Sequence, residues 1–221
     1  MDQTIAKERN ELKKRVLHMQ GKDFDALALD VFRFQYVHNP LYQQYVQLSG
    51  ILPEKVAHWT EIPFLPIELF KSHQVLTGTQ PVLFSFESSG TTGQIPSKHP
   101  VCDPGFYQEI SKIAFEREYR SLSDYHIFAL LPSYLERSTS SLVFMMDHFI
   151  KASGSELSGF YLNQYEELVY ALRQALKTDK KVWLMGVTFG LLDLVDSGID
   201  LSFLQEHKDR LIVMETGGMK G

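Results

Sequence analysis

A run of hydroxyl and glycine residues follows the apolar stretch 82–86 and has the composition of an anion-binding turn. The run consists of Ser88, Ser89, Gly90, Thr91, Thr92 and Gly93. Its glycines let the backbone approach a ligand closely, and its hydroxyls and amides offer the several donors that polyphosphate oxygens need. Lys98, a short distance along the chain, would add a positive charge. Composition alone nevertheless favours the simpler interpretation, an ordinary turn at the end of a strand.

A second glycine-bearing turn, Thr216-Gly217-Gly218, follows the apolar run 211–214. Neither turn matches the common nucleotide-binding or nucleophile motifs. The P-loop motif needs lysine after its second glycine, but Gln94 follows Gly93. The dinucleotide motif Gly-x-Gly-x-x-Gly and the nucleophile elbow Gly-x-Ser-x-Gly are also missing from the sequence. The chemistry of both turns therefore depends on the elements that position them.

Those elements alternate between strands and helices from residue 82 onward. Apolar runs predict strands at 82–86, 125–131, 181–187 and 211–214, and helical spacing or caps predict helices near 106–113, 138–152, 163–176 and 188–196. Continuous apolar strands separated by helices indicate an α/β fold with a largely parallel sheet and helices on both faces. Ligands of such sheets bind where strands end at their carboxyl termini, so both turns are expected at that edge.

The first 50 residues are predicted to be a helical segment that breaks near Asn39-Pro40. A loop-rich connector with four prolines follows over 51–81. The predicted domains are thus a helical segment at 1–50 and an α/β domain at 51–221. Two helix starts are specific enough to test: Asp103 as a cap before Pro104, and a capping box of Asn163 with Glu166.

Composition narrows the class of protein and the compartment. The 221 residues are 44% hydrophobic with a net charge of −5, which fits a globular chain and disfavours a nucleic-acid partner. The lone cysteine, Cys102, points to a reducing compartment and a small buried thiol. There is no signal-peptide pattern and no long apolar run, so a cytoplasmic protein without a membrane span is expected. Histidine spacing predicts no metal site, and His126 and His148 are expected to be satisfied core residues.

The hexapeptide Ser-Ser-Gly-Thr-Thr-Gly, with Pro96 and Lys98 after it, resembles the phosphate-binding signature of the adenylate-forming superfamily. The preceding segment 62–72 is similar to acyl-protein synthetases, the long-chain fatty acid–luciferin-component ligases of bacterial bioluminescence. Segments 131–134, 183–188 and 210–218 resemble later superfamily motifs, so the resemblance extends in order over residues 60–221. It implies that this chain is a partial N-terminal domain of an adenylate-forming enzyme.

The resemblance implies ATP-dependent activation of a fatty or other carboxylic acid, with ATP and Mg²⁺ as cofactors. Residues 88–93 and Lys98 would hold the phosphates, Thr216, Gly217 and Gly218 would lie against adenine, and Tyr134 would border the acyl pocket. The partners implied are a carboxylic acid, a thiol acceptor (a protein cysteine or coenzyme A) and an acyl reductase. A buried structural role for Tyr134 stays open.

Three departures from the family pattern limit what the resemblance implies. Ser97 separates Pro96 from Lys98, where the superfamily has Pro-Lys. The Tyr-Gly-x-Thr-Glu segment and the mobile C-terminal domain, with its adenylation lysine, do not follow before Gly221. We therefore expect little or no ligase turnover from this chain, and self-association through surface that the missing part would cover. A non-catalytic nucleotide-binding α/β domain and a relative of acyl-CoA ligases remain alternatives.

Overall fold

The computed structural model describes residues 3–88, 95–131 and 139–217. The chain divides into two compact units, Met1–Ile110 and Ser111–Gly221. Each unit has its own clusters of buried side chains. The predicted helical segment 1–50 lies wholly within the first unit. In the described part of the chain, no helix combines the length and apolar character that crossing a bilayer requires.

Three helices open the first unit: α1 (Gln3–Leu17), α2 (Phe24–His38) and α3 (Pro40–Leu48). The predicted break at Asn39-Pro40 is confirmed. The Asn39 side-chain oxygen accepts a hydrogen bond of 3.1 Å from the backbone N–H of Tyr42, which caps α3. Pro40 takes the first position of α3, where a missing N–H leaves no internal hydrogen bond unmade.

The proline-rich connector is loop-rich as predicted, with two short 3₁₀ turns and the single-turn helix α4 (Leu69–Ser72). It leads to strands β1 (Phe84–Glu87) and β2 (Lys98–Val101), which pair antiparallel as a separate two-stranded sheet. The expectation that the run 82–86 joins a parallel sheet is therefore wrong. The run from Pro96 to Pro100 did not suggest β2, because prolines lower strand propensity and are accepted only where no ladder donor is needed.

Helix α5 (Pro104–Tyr119) starts where the sequence predicts. Asp103 Oδ1 accepts a hydrogen bond of 3.0 Å from the N–H of Phe106, so the predicted cap is confirmed. Lys13 of α1 pairs with the same Asp103 side chain. That ion pair, the largest cause, holds the pKa of the Asp103 carboxyl below its usual range.

The second unit contains a four-stranded parallel sheet in the order β4-β3-β5-β6. Its elements in chain order are β3 (Tyr125–Leu130), α6 (Ser141–Ser153), β4 (Gly159–Tyr161), α7 (Tyr165–Ala175), β5 (Lys181–Val187), α8 (Thr188–Asp196) and β6 (Leu211–Thr216). The predicted strands at 125–131, 181–187 and 211–214 are confirmed. The short strand β4 was missed, because three residues carry no alternation that a sequence pattern can reveal.

Helices cover both faces of this sheet, as predicted. Side chains of β3 and β5 alternate between two apolar clusters: Ile127 and Trp183 face the cluster of α5 and α6, while Phe128 and Leu184 face the cluster of α7 and α8. Every residue of β3 is buried. A strand enclosed on both faces needs apolar side chains at every position, which explains why these strands could be predicted from the sequence.

The capping box predicted at Asn163 is wrong. Helix α7 begins at Tyr165, with Gln164 in the cap position and no side-chain cap. The Gln164 amide oxygen instead accepts a hydrogen bond of 2.9 Å from the N–H of Leu162. That bond stabilises the turn before the helix, and the cap position lies one residue beyond the predicted one.

Candidate functional site

Ser88 is the residue of the hydroxyl-rich run that the structure describes, and it directly follows strand β1 of the hairpin. Ser88 N–H donates to the carbonyl of Ser97 at 3.0 Å, and Ser97 N–H donates back to Ser88 Oγ at 2.9 Å. This reciprocal pair is the last described pair before the tip of the hairpin. Because Ser88 Oγ accepts that bond, its hydroxyl hydrogen is left to donate elsewhere.

Several predicted site residues lie outside the described part of the chain. These are Ser89, Gly90, Thr91, Thr92 and Gly93 of the phosphate turn, Gly218 of the adenine turn and Tyr134 of the acyl pocket. Their assignments stay predictions. Ser88 and Lys98 are described in the first unit, and Thr216 and Gly217 in the second, so the geometry around each pair belongs to its own unit.

Lys98 faces Glu87 across the hairpin. The two residues are partners in the antiparallel register, and Lys98 Nζ lies 3.5 Å from Glu87 Oε1. The Lys98 side chain is 64% exposed, so solvent screens this ion pair and its contribution to stability is about 0–1 kcal/mol. A weak, exposed pair leaves the ammonium group able to turn toward another anion.

A polar cluster occupies the carboxyl edge of the parallel sheet, where β5 and β6 end side by side. Thr188, the first residue of α8, places its Oγ1 within hydrogen-bonding distance of the Glu215 carboxylate, and 2.5 Å from the carbonyl oxygen of Gly217. Gly217 has a backbone φ of +94°, a conformation that side-chain-bearing residues rarely adopt. Thr216 pairs with Val187 in the parallel register. The cluster therefore joins the end of β6 to the start of α8.

A close approach between β5 and α8 positions Thr188. A Cβ atom added to Gly186 would lie 2.6 Å from Leu191 Cγ, so only glycine lets the first turns of α8 pack against the strand. A glycine inside an apolar strand is the usual sequence signal for such an approach. Sequence reasoning did not use that signal and did not select Thr188 or Glu215 as site residues.

The oxygens of this cluster suit a hard cation. Mg²⁺ takes oxygen ligands and commonly combines one or two carboxylates with substrate phosphates and water. Glu215, Thr188 and the Gly217 carbonyl supply a carboxylate, a hydroxyl and a backbone oxygen. Within the described ranges, no group of three His, Cys, Asp or Glu side chains comes together. The residues at this edge thus fit Mg²⁺ held jointly with phosphate oxygens.

The opposite, amino-terminal edge of the sheet holds a buried hydrogen-bonded chain around His126. Its Nδ1 lies 2.6 Å from Ser155 Oγ, and its Nε2 lies 2.7 Å from Thr178 Oγ1. Thr178 Oγ1 donates to the carbonyl of Ala175, so Nε2 carries the proton and Nδ1 accepts from Ser155. Burial, and secondly the charge of Lys180, lower the pKa of His126. His126 is a satisfied core residue, as predicted.

His148 on α6 does not follow that prediction. Its Nε2 is buried and has no hydrogen-bond partner among the residues that the structure describes. Burial, the largest cause, lowers the pKa of His148. Trp183 Nε1 is a second buried nitrogen without a hydrogen-bond partner in the described ranges. The Trp183 ring packs among apolar side chains and stacks on Phe115, with ring centroids 4.5 Å apart.

Comparison with known proteins gave no match to a family model, to a curated protein or to a solved structure. The similarity of the hexapeptide to the adenylate-forming signature therefore rests on the sequence alone. The α/β architecture with a covered parallel sheet rests on the structure.

Proposed function

We propose that this chain binds ATP as a ligase of the acyl-protein synthetase type, which activates a fatty carboxylic acid. The observation that carries the proposal is the hexapeptide Ser88–Gly93, which directly follows strand β1 and precedes β2. The segment that connects these two paired strands contains hydroxyl residues, glycines and a nearby lysine, which together have the donors that a triphosphate needs.

The proposed reaction has two steps. The carboxylate oxygen attacks the α-phosphorus of ATP, an O–P bond forms, and the bond to pyrophosphate breaks, which gives acyl adenylate and pyrophosphate. A thiol then attacks the acyl carbon, which forms a thioester and releases AMP. Two anions must be brought together in the first step, so positioning and charge neutralisation supply most of the rate enhancement.

The described residues have roles suited to that chemistry. Ser88 keeps a hydroxyl hydrogen for a phosphate oxygen, and Lys98 supplies a positive charge restrained only by an exposed pair with Glu87. Thr216 and Gly217 lie at the carboxyl edge of a parallel sheet, which is where ligands of open α/β sheets bind. Gly217 has no side chain to obstruct a flat base.

Mg²⁺ would neutralise phosphate charge in such a reaction. Glu215 and Thr188 are the described side chains whose oxygens suit that ion. Their role in the proposal is limited to holding it.

The test is nucleotide binding by the whole chain, measured calorimetrically with a non-hydrolysable ATP analogue and Mg²⁺. The variant Thr91→Ala with Thr92→Ala removes two hydroxyls of the hexapeptide, and we expect its affinity to fall about tenfold or more, since each lost phosphate contact is worth about 1 kcal/mol. Thr79→Ala, an exposed threonine of the same unit, is the matched control and should bind like the parent chain.

Equal affinity of the double variant and the control would overturn the phosphate-binding role of the turn. Formation of an acyl hydroxamate above background from a fatty acid, ATP and hydroxylamine, even at the low turnover expected of this chain, would favour an adenylating enzyme over a domain that only binds nucleotide. The acceptor, coenzyme A or a protein thiol, then separates an acyl-CoA ligase from an acyl-protein synthetase.

A further inference from the structure

A cavity of about 740 Å³ lies within the first unit, and none of the residues named in the function proposed above lines it. Its walls come from α1, α2, α3, the connector and β2, and most of them are apolar. Representative lining side chains are Met19, Leu27, Val31, Ile62, Leu65 and Phe70. The apolar character continues to the rim, where Phe24 and Trp59 meet edge to face at 5.6 Å.

The volume and lining of the cavity fit a long aliphatic chain. Small-molecule sites commonly measure about 300–1,000 Å³, and they have mostly apolar walls with few polar groups. At the roughly 30 Å³ that a water-sized group takes in a liquid, 740 Å³ holds on the order of 20 non-hydrogen atoms. A fatty acid of medium to long chain is of this size.

One part of the wall is polar and has an unused donor. Asn39 is only 4% exposed, and its side-chain oxygen is occupied by the N–H of Tyr42. Its Nδ2 carries two hydrogens but makes a single long contact, 3.4 Å to Thr77 Oγ1. Asn39, Thr77 and Tyr42 all line the cavity. Among the described residues, the second Nδ2 hydrogen of Asn39 has no acceptor, which a buried amide normally finds.

The Arg9 guanidinium group lies next to this polar part of the wall. Arg9 Nη2 donates to the carbonyl of Thr77 at 2.8 Å. Gly78, at a φ of +79°, makes room for it, because a Cβ there would lie 2.5 Å from Arg9 Nη2. Lys13 and Arg15 on the same helix pair with aspartates, whereas no carboxylate of the described residues pairs with Arg9.

We propose that this cavity binds a long-chain carboxylic acid, with its aliphatic chain along the apolar walls and its carboxylate at the Asn39, Thr77 and Arg9 end. Apolar burial supplies the affinity for the chain. The Asn39 donor and the Arg9 charge select an anionic head over a neutral one. The choice of acid rests on the proposed function, whereas binding is tested separately, because a chain that bound the acid without activating it would still satisfy this inference.

The experiment measures calorimetric binding of three probes to the whole chain below their micelle concentrations: dodecanoate, 1-dodecanol and acetate. We expect dodecanoate to bind at least tenfold more tightly than dodecanol, and acetate not to bind measurably. Trp59 lines the cavity and is 37% exposed, so its fluorescence should shift on binding and the shift should vanish in Trp59→Phe.

Two variants separate the chain site from the head site. Ala28→Phe fills the cavity from α2, and it should abolish dodecanoate binding while leaving ATP-analogue binding unchanged. Arg9→Gln should lower dodecanoate affinity about tenfold without changing dodecanol affinity, and Arg9→Lys should restore part of it. Arg33→Gln, an exposed α2 arginine paired with Asp30, is the matched control.

Three results would overturn the proposal. The first is dodecanoate binding that Ala28→Phe leaves intact in a folded protein, as judged by circular dichroism. The second is equal affinity for dodecanoate and dodecanol with no effect of Arg9→Gln. The third is dimerisation in sedimentation that Ala28→Phe abolishes, which would assign the cavity to a second copy of this chain. Loss of ATP binding in the Thr91 and Thr92 variant would bear on the proposed function only.

Discussion

The two units of this protein use apolar residues in different ways. In the second unit, β3 is buried along its whole length, and the two apolar clusters on its faces include many side chains with no exposed surface. In the first unit, the buried clusters are small, a cavity of about 740 Å³ stays open, and large side chains such as Phe64 and Ile67 are exposed.

The contrast follows from the elements that each unit contains. A parallel sheet with helices on both faces encloses its strands, and interdigitating side chains fill the interior to the density of a solid. The connector of the first unit contains Pro53, Pro63 and Pro66, which prevent regular elements that could close over the helices. Apolar surface left uncovered by the fold is the place to look for ligand binding, whereas apolar surface that is filled serves stability.

The largest expected effect tests this difference with one substitution in each unit. Leu172→Ala in α7 removes a fully buried side chain of the second unit, and should cost about 2–5 kcal/mol of unfolding free energy. Leu27→Ala in α2 removes a buried side chain that borders the open cavity, and should cost less, because fewer atoms pack against it. Urea unfolding of each variant against the parent chain measures both costs.

The two tryptophans make that measurement specific to each unit. Trp183 is 1% exposed in the core of the second unit, and Trp59 lines the cavity of the first. Trp59→Phe leaves Trp183 as the single reporter, so the Leu172→Ala transition is read in that background. An equal or greater loss for Leu27→Ala would contradict the view that the first unit is the less densely packed.

A smaller effect concerns pH and the second unit alone. Burial lowers the folded-state pKa of His126 below its unfolded value of about 6.5, so below that value the unfolded chain binds more protons. Stability is therefore complete above pH 6.5 and is lost as the pH falls through the lower folded pKa. His126→Gln should remove this part of the pH dependence and cost about 1–3 kcal/mol at pH 8, because Ser155 and Thr178 lose a matched partner.

The readout is the unfolding free energy from Trp183 fluorescence between pH 8 and pH 5. The Trp59 signal, from the first unit, serves as the internal control and should have the same pH dependence in the variant as in the parent. An unchanged slope of the Trp183 curve in His126→Gln would assign the acid sensitivity of the second unit to other groups, with His148 the next to test.

The fold was predictable where buried positions follow one another and form an uninterrupted apolar run in the sequence. Runs such as 181–187 are apolar at every position because both faces of the sheet are covered, and the Asp103-Pro104 and Asn39-Pro40 pairs mark helix starts by local chemistry. The run 82–86 looks the same but belongs to an antiparallel hairpin. The direction of pairing depends on the partner strand. Because β2 contains Pro100, its composition did not predict a strand there, and the antiparallel pairing of β1 could not be foreseen.

The site was predictable only where a motif is local. Ser88 and Lys98 belong to one hairpin, and their proximity follows from a short stretch of chain. The contact of Thr188 with Glu215 joins the start of α8 to the end of β6, 27 residues apart in sequence. It depends on the close packing of Leu191 against Gly186, which has no side chain. The cavity is built from side chains of α1, α2, α3, the connector and β2, so no single segment of sequence encodes it.

The smallest expected effect on stability concerns the exposed pair at the base of the hexapeptide. Glu87→Gln should change the unfolding free energy by less than about 1 kcal/mol, because solvent screens its contact with Lys98 at 3.5 Å. The same change removes a carboxylate that competes with a phosphate for the Lys98 ammonium. We therefore expect ATP-analogue affinity to rise a few-fold at low salt, and the gain to shrink as salt is added.

Asp147→Asn is the matched control, since it breaks the exposed pair with Lys151 on α6, at 2.7 Å, and removes the same charge from the chain. A gain in both variants would reflect net charge alone, whereas a gain confined to Glu87→Gln would place the nucleotide near Lys98. Lys98→Gln in the Glu87→Gln background completes the cycle, because it should abolish the gain. An unchanged affinity in Glu87→Gln at low salt would exclude Lys98 from phosphate binding and leave the hexapeptide to act through its hydroxyls and amides.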